Sequence, residues 1–129
     1  MNNLLLRRYE DGDEKSIVAL LNLAMYGWHS LEYWRWKYKR CPYGFYKTLF
    51  VAEKDGKIIA HAASVPTRIK FFKKAILGAQ SADGATHPDY RHSGFILAVG
   101  KKKMEGLRED GIKFTYGIPG KFIYRGLFK

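Results

Sequence analysis

The stretch 85–96 combines residue types that could bind an anion at the start of a helix. It reads Ala-Thr-His-Pro-Asp-Tyr-Arg-His-Ser-Gly-Phe-Ile. Pro88 cannot continue a strand, and Gly94 can take the positive φ that a tight turn requires. The pattern becomes helical from Phe95 onward. The free backbone N–H groups and the dipole of a helix N-terminus suit a phosphate, and Arg91 would add a full positive charge.

An ordinary solvated turn between a strand and a helix would use the same residues. One glycine and one arginine form a weak motif by themselves. The loop alone therefore leaves two interpretations open, an anion-binding site and a turn without a ligand.

Other kinds of catalytic site find less support in the sequence. The four histidines have no metal-ligand spacing and Cys41 is the single cysteine, so we expect no metal site. The serines lack the strand–turn–helix context of a hydrolase nucleophile. Glu53 and Asp83 are carboxylates on predicted strands, and nothing in the sequence marks either as a general base.

The loop lies within a series of predicted strands and helices. Strands are predicted at residues 4–9, 48–54, 57–65, 68–72, 75–82 and 112–118. Helices are predicted after a capping box at Asp11 and Glu14, after an N-cap at Ser30, from Phe95, and from Pro119. The central strands should form an antiparallel meander, and strand 112–118 should lie parallel to the strand ending at Thr86.

Two further details concern these elements. Pro66 is expected to bend or end its strand, and Gly78 and Gly84 are expected to mark a bulge or a close backbone approach. The helix that starts at Phe95 should place Ile96, Gly100, Met104 and Leu107 at helical spacing.

Length and composition restrict the class of protein. The 129 residues suit one domain, and a hydrophobic fraction of 47% argues against disorder. No apolar run could span a bilayer and no secretory signal is visible, so we expect a cytoplasmic protein without a membrane partner. The formal net charge of +11 favours anionic partners. The charge does not by itself indicate a nucleic-acid partner, because no DNA- or RNA-binding signature accompanies it.

The predicted second helix, residues 31–38, carries more aromatic side chains than one core stripe needs. Trp34 and Tyr38 share a face with Leu31, whereas Trp36 points elsewhere. Core packing and a pocket for an acceptor substrate both account for these residues.

The loop and the order of elements together resemble the GNAT acyltransferase superfamily. Its acetyl-CoA loop has the pattern Gln/Arg-x-x-Gly-x-Gly/Ala; Arg91 and Gly94 match it, and Ile96 stands where the last glycine or alanine would be. Three segments look like the branch related to the N-terminal domains of larger aminoglycoside-acetylating enzymes: Glu32–Tyr38, Thr86–Arg91 and Tyr116–Pro119. The resemblance covers nearly the whole chain, which we interpret as a single domain spanning residues 1–129.

The resemblance implies an α+β fold with a mixed, mainly antiparallel sheet flanked by helices and a splayed pair of parallel strands. It also implies an N-acyltransferase that moves an acetyl group from acetyl-CoA to an amine. Acetyl-CoA would lie between the splayed strands and be held by Gly84, Thr86, Arg91, His92, Ser93, Gly94, Phe95 and Ile96.

The resemblance implies a proton donor for the departing thiolate on the last helix, where the family often has a tyrosine. Phe128 occupies that place, and phenylalanine cannot donate a proton. Tyr124 lies one turn earlier and is our candidate. Two alternative functions stay open: a non-catalytic CoA-binding or interaction module, and a small basic nucleic-acid-binding protein.

The position of the last residue raises a further expectation. A GNAT domain normally continues after its last helix with two more strands, whereas this chain stops at Lys129. We therefore expect a domain truncated at its C-terminus that self-associates or needs a partner segment to complete its sheet.

Overall fold

A five-stranded sheet with helices on both faces makes up the part of the chain that the computed structural model describes, residues 3–45 and 47–117. The strands are β1 (Leu4–Arg8), β2 (Leu49–Lys54), β3 (Lys57–Phe71), β4 (Lys74–Thr86) and β5 (Thr115–Tyr116). The helices are α1 (Glu14–Ala24), α2 (Leu31–Trp34) and α3 (Phe95–Glu109). A π-helical turn, Arg35–Lys39, continues α2, and a 3₁₀ turn, Pro88–Tyr90, follows β4.

The sheet confirms the predicted fold class. Its strand order is β1-β2-β3-β4-β5, and every neighbouring pair is antiparallel except β4 and β5. The parallel pairing joins Ala79 to Thr115 and Gln80 to Tyr116. Beyond Gln80, β4 continues for the residues up to Thr86 without a β5 partner in the described part of the chain, so the two parallel strands part there.

Alternation along β2 explains why the sheet has a core on each face. Leu49 and Val51 belong to the cluster formed with α1 and α2, whereas Phe50 and Ala52 belong to the cluster formed with α3. Successive side chains of a strand point to opposite faces, so a strand covered on both sides is apolar throughout. The α1 contribution is the predicted one: Ile17, Leu20, Leu21 and Ala24 are buried.

Helix α3 packs closely against β1 and β2 through a glycine. A β-carbon on Gly106 would stand 2.3 Å from Cζ of Phe50 and 2.8 Å from Nη2 of Arg8. Arg8 in turn donates to the Gly106 carbonyl at 3.3 Å and pairs with Asp110 at 2.9 Å. The side-chain-free position therefore lets the helix approach the sheet.

The buried face of α3 differs from the predicted one. Val99, Lys103, Gly106 and Leu107 are buried, whereas Met104 is 43% exposed. The sequence pattern favoured Met104 because methionine is apolar and lysine rarely enters a core. Lys103 is buried in place of Met104, because its amine reaches hydrogen-bond acceptors inside the fold.

Pro66 does not end its strand, which was one of the two outcomes predicted for it. It pairs with Ala79 in the β3–β4 ladder, and β3 continues to Phe71. The sulfur of Cys41 contacts the Pro66 carbonyl at 3.6 Å, on the side of β3 away from β4. The N–H and C=O of one residue in an antiparallel strand point the same way, so the missing N–H costs no bond to β4.

Smaller differences affect the other predicted bounds. The helix predicted after Asp11 begins at Glu14 with Asp13 as its N-cap, and the side chain of Asp11 lies 3.6 Å from Lys47. Strand β5 begins at Thr115 rather than at Ile112, because the N–H of Ile112 donates to Leu107 at the end of α3. Lys113 and Phe114 already bond to the backbone of β4, at Leu77 and Ala79. The Ser30 cap is confirmed, since its hydroxyl accepts the N–H of Tyr33.

The predictions for the C-terminal part fall outside the described residues. They are the terminal helix from Pro119, the proton donor Tyr124 and the completion of the sheet by further strands. Within residues 3–45 and 47–117, every helix is too short or too polar to cross a bilayer.

Candidate active site

The loop between β4 and α3 has the conformation expected of a helix start that can bind an anion. After the 3₁₀ turn, His92 has a φ of +67° and Gly94 a φ of +82°. The first N–H bonded within the helix is that of Ala98, which donates to the Gly94 carbonyl at 3.1 Å. The N–H groups of Phe95, Ile96 and Leu97 precede it and have no carbonyl of the helix to bond. The loop thus presents backbone donors at the positive end of the α3 dipole.

The position of Gly94 requires glycine because of its backbone conformation, not because a side chain would lack space. A β-carbon at this position would meet no atom within 4 Å. Its φ of +82° lies in the left-handed region, which side chains other than asparagine and aspartate rarely adopt. The residue therefore sets the direction in which the chain enters α3.

Arg91 holds the loop against the end of α1. Its guanidinium donates to the carbonyl of Ala24 at 2.7 Å and lies 5.9 Å from the centre of the Tyr26 ring. An arginine favours this place because the last carbonyls of a helix carry partial negative charge. The guanidinium has further N–H groups, and the predicted contact of Arg91 with a phosphate stays a prediction.

The other predicted loop residues contribute to the shape of the turn. His92, Ser93 and Gly94 are exposed, and the Ser93 hydroxyl donates to the carbonyl of Tyr90. Phe95 and Ile96 are half-buried. Ile96 packs over Gly84, where an added β-carbon would be 3.5 Å from its Cδ1 atom. The side chains of this segment therefore pack and close the turn, and its backbone carries the free donors.

The edge of β4 from Gly84 to Thr86 is open in the described part of the chain. The N–H of His87 donates to Ile59 on β3 at 2.7 Å. Backbone groups alternate in direction along a strand, so those of Thr86 and Gly84 face the opposite edge. This is the edge that parts from β5, and the structure places it beside the loop; the binding of a cofactor by the two together stays a prediction.

Asp83 occupies a β-bulge at the inner end of this edge. Its φ is +54°, and the register of β3 with β4 shifts beside it. The carboxylate accepts hydrogen bonds from Trp28 Nε1 at 2.9 Å, from Lys37 Nζ at 2.8 Å and from the Tyr38 hydroxyl. Burial acts to raise the pKa of Asp83, but the bonds from Lys37 and Tyr38 outweigh it and lower the pKa. Asp83 therefore stays ionised and is a weak base.

His61 faces the same bulge from β3. Its side chain is fully buried, and Nδ1 lies 2.9 Å from the carbonyl oxygen of Asp83. Because a carbonyl only accepts, Nδ1 carries the proton and Nε2 does not. Burial lowers the pKa of His61 to about 4, so the imidazole is neutral at pH 7. Nε2 has no hydrogen-bond partner among the described residues.

Lys103 is a buried amine where β4 and β5 part. Its Nζ atom donates to the Ala63 carbonyl at 3.3 Å and to the Ser81 hydroxyl at 3.1 Å. Burial lowers its pKa below the ordinary lysine value. Sequence reasoning missed Lys103, because its only signal was a lysine at helical spacing from Val99 and Leu107.

The aromatic residues in and before the second helix divide between the core and an exposed surface, and a role in binding an acceptor stays a prediction. Trp34 and Tyr38 are buried in the core. Tyr33 instead stacks on His29 with ring centres 3.8 Å apart, and Trp28 and the 62%-exposed Trp36 lie 5.3 and 5.5 Å from it. These four side chains form an aromatic surface: Trp28, His29, Tyr33 and Trp36. Trp28 donates to Asp83, and so does Lys37, whose Nζ atom lies 6.0 Å from the centre of the Tyr33 ring. The aromatic surface therefore adjoins the bulge.

The remaining carboxylate considered from the sequence lies elsewhere. Glu53 pairs with Arg7 at 3.4 Å, and Arg7 also pairs with Asp13 at 2.6 Å. Within the described ranges, no three histidine, cysteine or acidic side chains come together as a metal site would require.

Comparison with known proteins agrees with this geometry. The family model described as "Acetyltransferase (GNAT) domain" matches residues 6–127. Among curated proteins, none matches the chain. A glucosamine-6-phosphate N-acetyltransferase from Arabidopsis thaliana has a TM-score of 0.70 and 16% identity, with 96% of this chain and 89% of that chain covered.

Two further solved structures share the fold. A predicted acetyltransferase from Clostridium acetobutylicum, solved with acetyl-CoA, has a TM-score of 0.73 and 16% identity, with 98% and 89% of the two chains covered. A GCN5-related N-acetyltransferase from Kribbella flavida has a TM-score of 0.78 and 15% identity, and this chain spans 32% of its length while 98% of this chain is covered. The chain therefore belongs to the GNAT acetyltransferase domain family and is an N-acetyltransferase domain.

Proposed function

We propose that this domain transfers an acetyl group from acetyl-CoA to a primary amine. One observation carries the proposal: the open edge of β4 runs directly into the left-handed Gly94 and the free N–H groups that begin α3. An open strand edge suits the amide groups of a pantetheine arm, and a helix N-terminus suits a pyrophosphate. The C. acetobutylicum protein, which shares the fold, was solved with acetyl-CoA.

The donor would be held mainly by backbone atoms. The edge groups of Gly84 and Thr86 would bond the pantetheine arm, and the N–H groups from Arg91 to Ile96 would bond the pyrophosphate. Backbone donors at a fixed turn are pre-organised, so little conformational freedom is lost when the ligand binds.

The reaction needs a neutral amine and a proton for the leaving thiol. The amine nitrogen attacks the thioester carbonyl carbon, the carbon–sulfur bond breaks, and the sulfur leaves as a thiolate that takes up a proton. Asp83 is unsuited to remove the proton of the amine, because three donors already occupy its carboxylate. We assign Asp83 to holding Trp28, Lys37 and Tyr38 in place, and we keep Tyr124 as the proposed proton donor.

The acceptor would approach over the aromatic surface. Flat, partly exposed rings bind amphipathic substrates such as amino sugars by contact with their C–H groups. The A. thaliana protein, which shares the fold, is named for an amino sugar phosphate. Amino sugars are therefore the first acceptors to test, beside lysine-containing peptides.

Two measurements on the purified chain test the proposal. Acetyl-CoA at 100 times its dissociation constant should raise the free energy of unfolding by about 2.7 kcal/mol, and ATP should serve as an anionic control with a smaller effect. Acceptor-dependent release of free CoA thiol, with the acetylated amine identified by mass, would establish transfer. Stabilisation without thiol release for any amine would favour the non-catalytic CoA-binding module, and no stabilisation by millimolar acetyl-CoA would refute the donor.

A further inference from the structure

The hairpin between β3 and β4 ends in two exposed phenylalanines surrounded by lysines. Phe71 is 58% exposed and Phe72 is 85% exposed. Their rings contact each other edge to face, with centres 4.7 Å apart. The lysines Lys70, Lys73 and Lys74 are exposed beside them. We call these five residues the hairpin tip. Adjacent exposed aromatic side chains form an apolar patch, which is more informative than a single exposed residue.

The backbone conformation of Phe72 is one that disfavours phenylalanine. Phe72 has a φ of +55° and lies in the two-residue turn between Phe71 and Lys74. Such turns favour glycine, asparagine or aspartate, and a bulky side chain is disfavoured in the left-handed region. Phe72 is 85% exposed, so burial of its side chain offsets little of this strain. Neither turn geometry nor core packing therefore accounts for a phenylalanine here.

The charge around the tip has one sign. No acidic residue occurs between Asp55 and Asp83 in the sequence. Among the ion pairs of residues 3–45 and 47–117, none involves the three lysines of the tip. The tip therefore combines an apolar point with a positively charged surround, and it fits a partner that is apolar inside and anionic outside.

We propose that the hairpin tip docks on the surface of an anionic phospholipid membrane. The phenylalanine rings would enter the boundary between headgroups and acyl chains, and the lysines would contact the lipid phosphates and carboxylates. We expected no membrane partner because no apolar run of the sequence could span a bilayer, and that reasoning excludes only a segment that crosses the membrane. A hairpin tip binds the surface without crossing it.

Two other occupants fit the tip less well. A second copy of the chain would bring lysines against lysines, which repel one another. Single-stranded nucleic acid stacks its bases on aromatic platforms within a basic groove. The Phe71 and Phe72 rings cross at 77° at the end of a hairpin, so they offer neither parallel platforms nor a groove.

Docking at the tip would leave the candidate active site free. Strand β4 runs from Lys74 at the tip to Thr86 at the cofactor loop. At about 3.3 Å per residue the two ends lie about 40 Å apart. A domain held by its tip would therefore present the loop and the open edge of β4 away from the membrane.

Co-sedimentation of the whole chain with lipid vesicles tests the proposal. We expect binding to vesicles that contain phosphatidylserine, weak binding to phosphatidylcholine alone, and loss of binding as the salt concentration rises. The Phe72→Asn variant should bind about tenfold more weakly, because one aromatic contact is lost. Its melting temperature should rise, because asparagine tolerates the left-handed turn. A binding loss in this variant is thus separable from misfolding.

The lysines provide a matched pair of variants. Replacing Lys73 and Lys74 by serine should weaken binding to the anionic vesicles about thirtyfold, since each cation near the surface contributes about 1 kcal/mol. Replacing the consecutive exposed lysines Lys101 and Lys102 on α3 removes the same charge and should leave binding close to that of the wild type. Equal losses in the two pairs would show non-specific attraction by the net charge and overturn the proposal. Binding to phosphatidylcholine alone with the same affinity, no vesicle binding, or a tip-dependent preference for random single-stranded DNA would also overturn it.

Discussion

At the scale of single residues, Gly94 controls whether the donor site forms. Valine at a φ of +82° is strained by about 1–2 kcal/mol, so the chain would enter α3 differently. Gly94→Val should therefore weaken acetyl-CoA binding about tenfold or more, measured by isothermal titration. Gly94→Asn is the matched control, because asparagine tolerates this conformation and should retain most of the affinity. Wild-type affinity in the valine variant would place the donor elsewhere.

His61 makes the stability of the domain depend on pH. Its pKa is about 4 in the fold, against an ordinary value near 6.5 in the unfolded chain. The unfolded state therefore binds more protons between pH 6.5 and pH 4. The stabilisation is fully present above pH 6.5 and is lost as the pH falls towards 4, by about 3 kcal/mol in total.

Denaturant unfolding at a series of pH values measures this slope. His61→Gln should flatten the stability profile between pH 4 and pH 6.5, because glutamine does not titrate. A slope that persists in His61→Gln would assign the proton uptake to another group.

At the scale of elements, α3 carries two glycines with opposite requirements. A β-carbon on Gly100 would meet no atom within 4 Å, whereas one on Gly106 would stand 2.3 Å from the Phe50 ring. Gly100→Ala should raise the free energy of unfolding by about 0.5–1 kcal/mol, because alanine suits a helix interior. Gly106→Ala should lower it by about 1–3 kcal/mol, because the helix must move away from β2. Chemical unfolding of both variants checks the signs, and stabilisation by Gly106→Ala would contradict the packing described for α3.

The sequence predicted those elements whose signals are local. The α1 face, the Asp55-Gly56 hairpin and the start of α3 at Phe95 follow from periodicity and turn chemistry, and the structure confirms them. The prediction for Pro66 named a bend or an end because the outcome depends on which edge its nitrogen faces, and pairing with β4 decides that. Lys103 was missed for a similar reason. Its acceptors come from β3 and β4, far from it in the chain.

The candidate site also has one part that the sequence predicts and one part that it does not. The loop residues adjoin one another in sequence, so their grouping could be predicted. The cluster around Asp83 draws Trp28 and Lys37 from the region of α1 and α2, and only the folded sheet brings them to the bulge. Sequence spacing carries no information about such contacts, so Asp83 could not be distinguished from Glu53.

At the scale of the whole molecule, the edges of the sheet determine how the domain meets other molecules. Strand β2 pairs with β3 only as far as Ala63. From there to the tip, β3 has no strand on that side within the described residues. Thr48 accepts the N–H of Ser64 on that side and Cys41 bonds the carbonyl of Pro66, so the open part of the edge begins beyond Pro66. Unpaired strand edges are sites where other chains add. The self-association expected from the sequence remains a prediction, and light scattering of the purified chain measures it.

Pro66 lies on this side of β3, where it is buried and its carbonyl accepts from the Cys41 thiol. The part of the edge that an approaching strand could reach therefore begins beyond Pro66, where Arg68 and Lys70 are exposed and their charges oppose close approach. Replacing Arg68 and Lys70 by threonine should leave the fold in place yet shorten the time before turbidity appears in a concentrated, warmed solution. Unchanged turbidity would mean that these charges do not protect the edge. The expected result would make two basic side chains at the end of a strand a determinant of solubility in this chain.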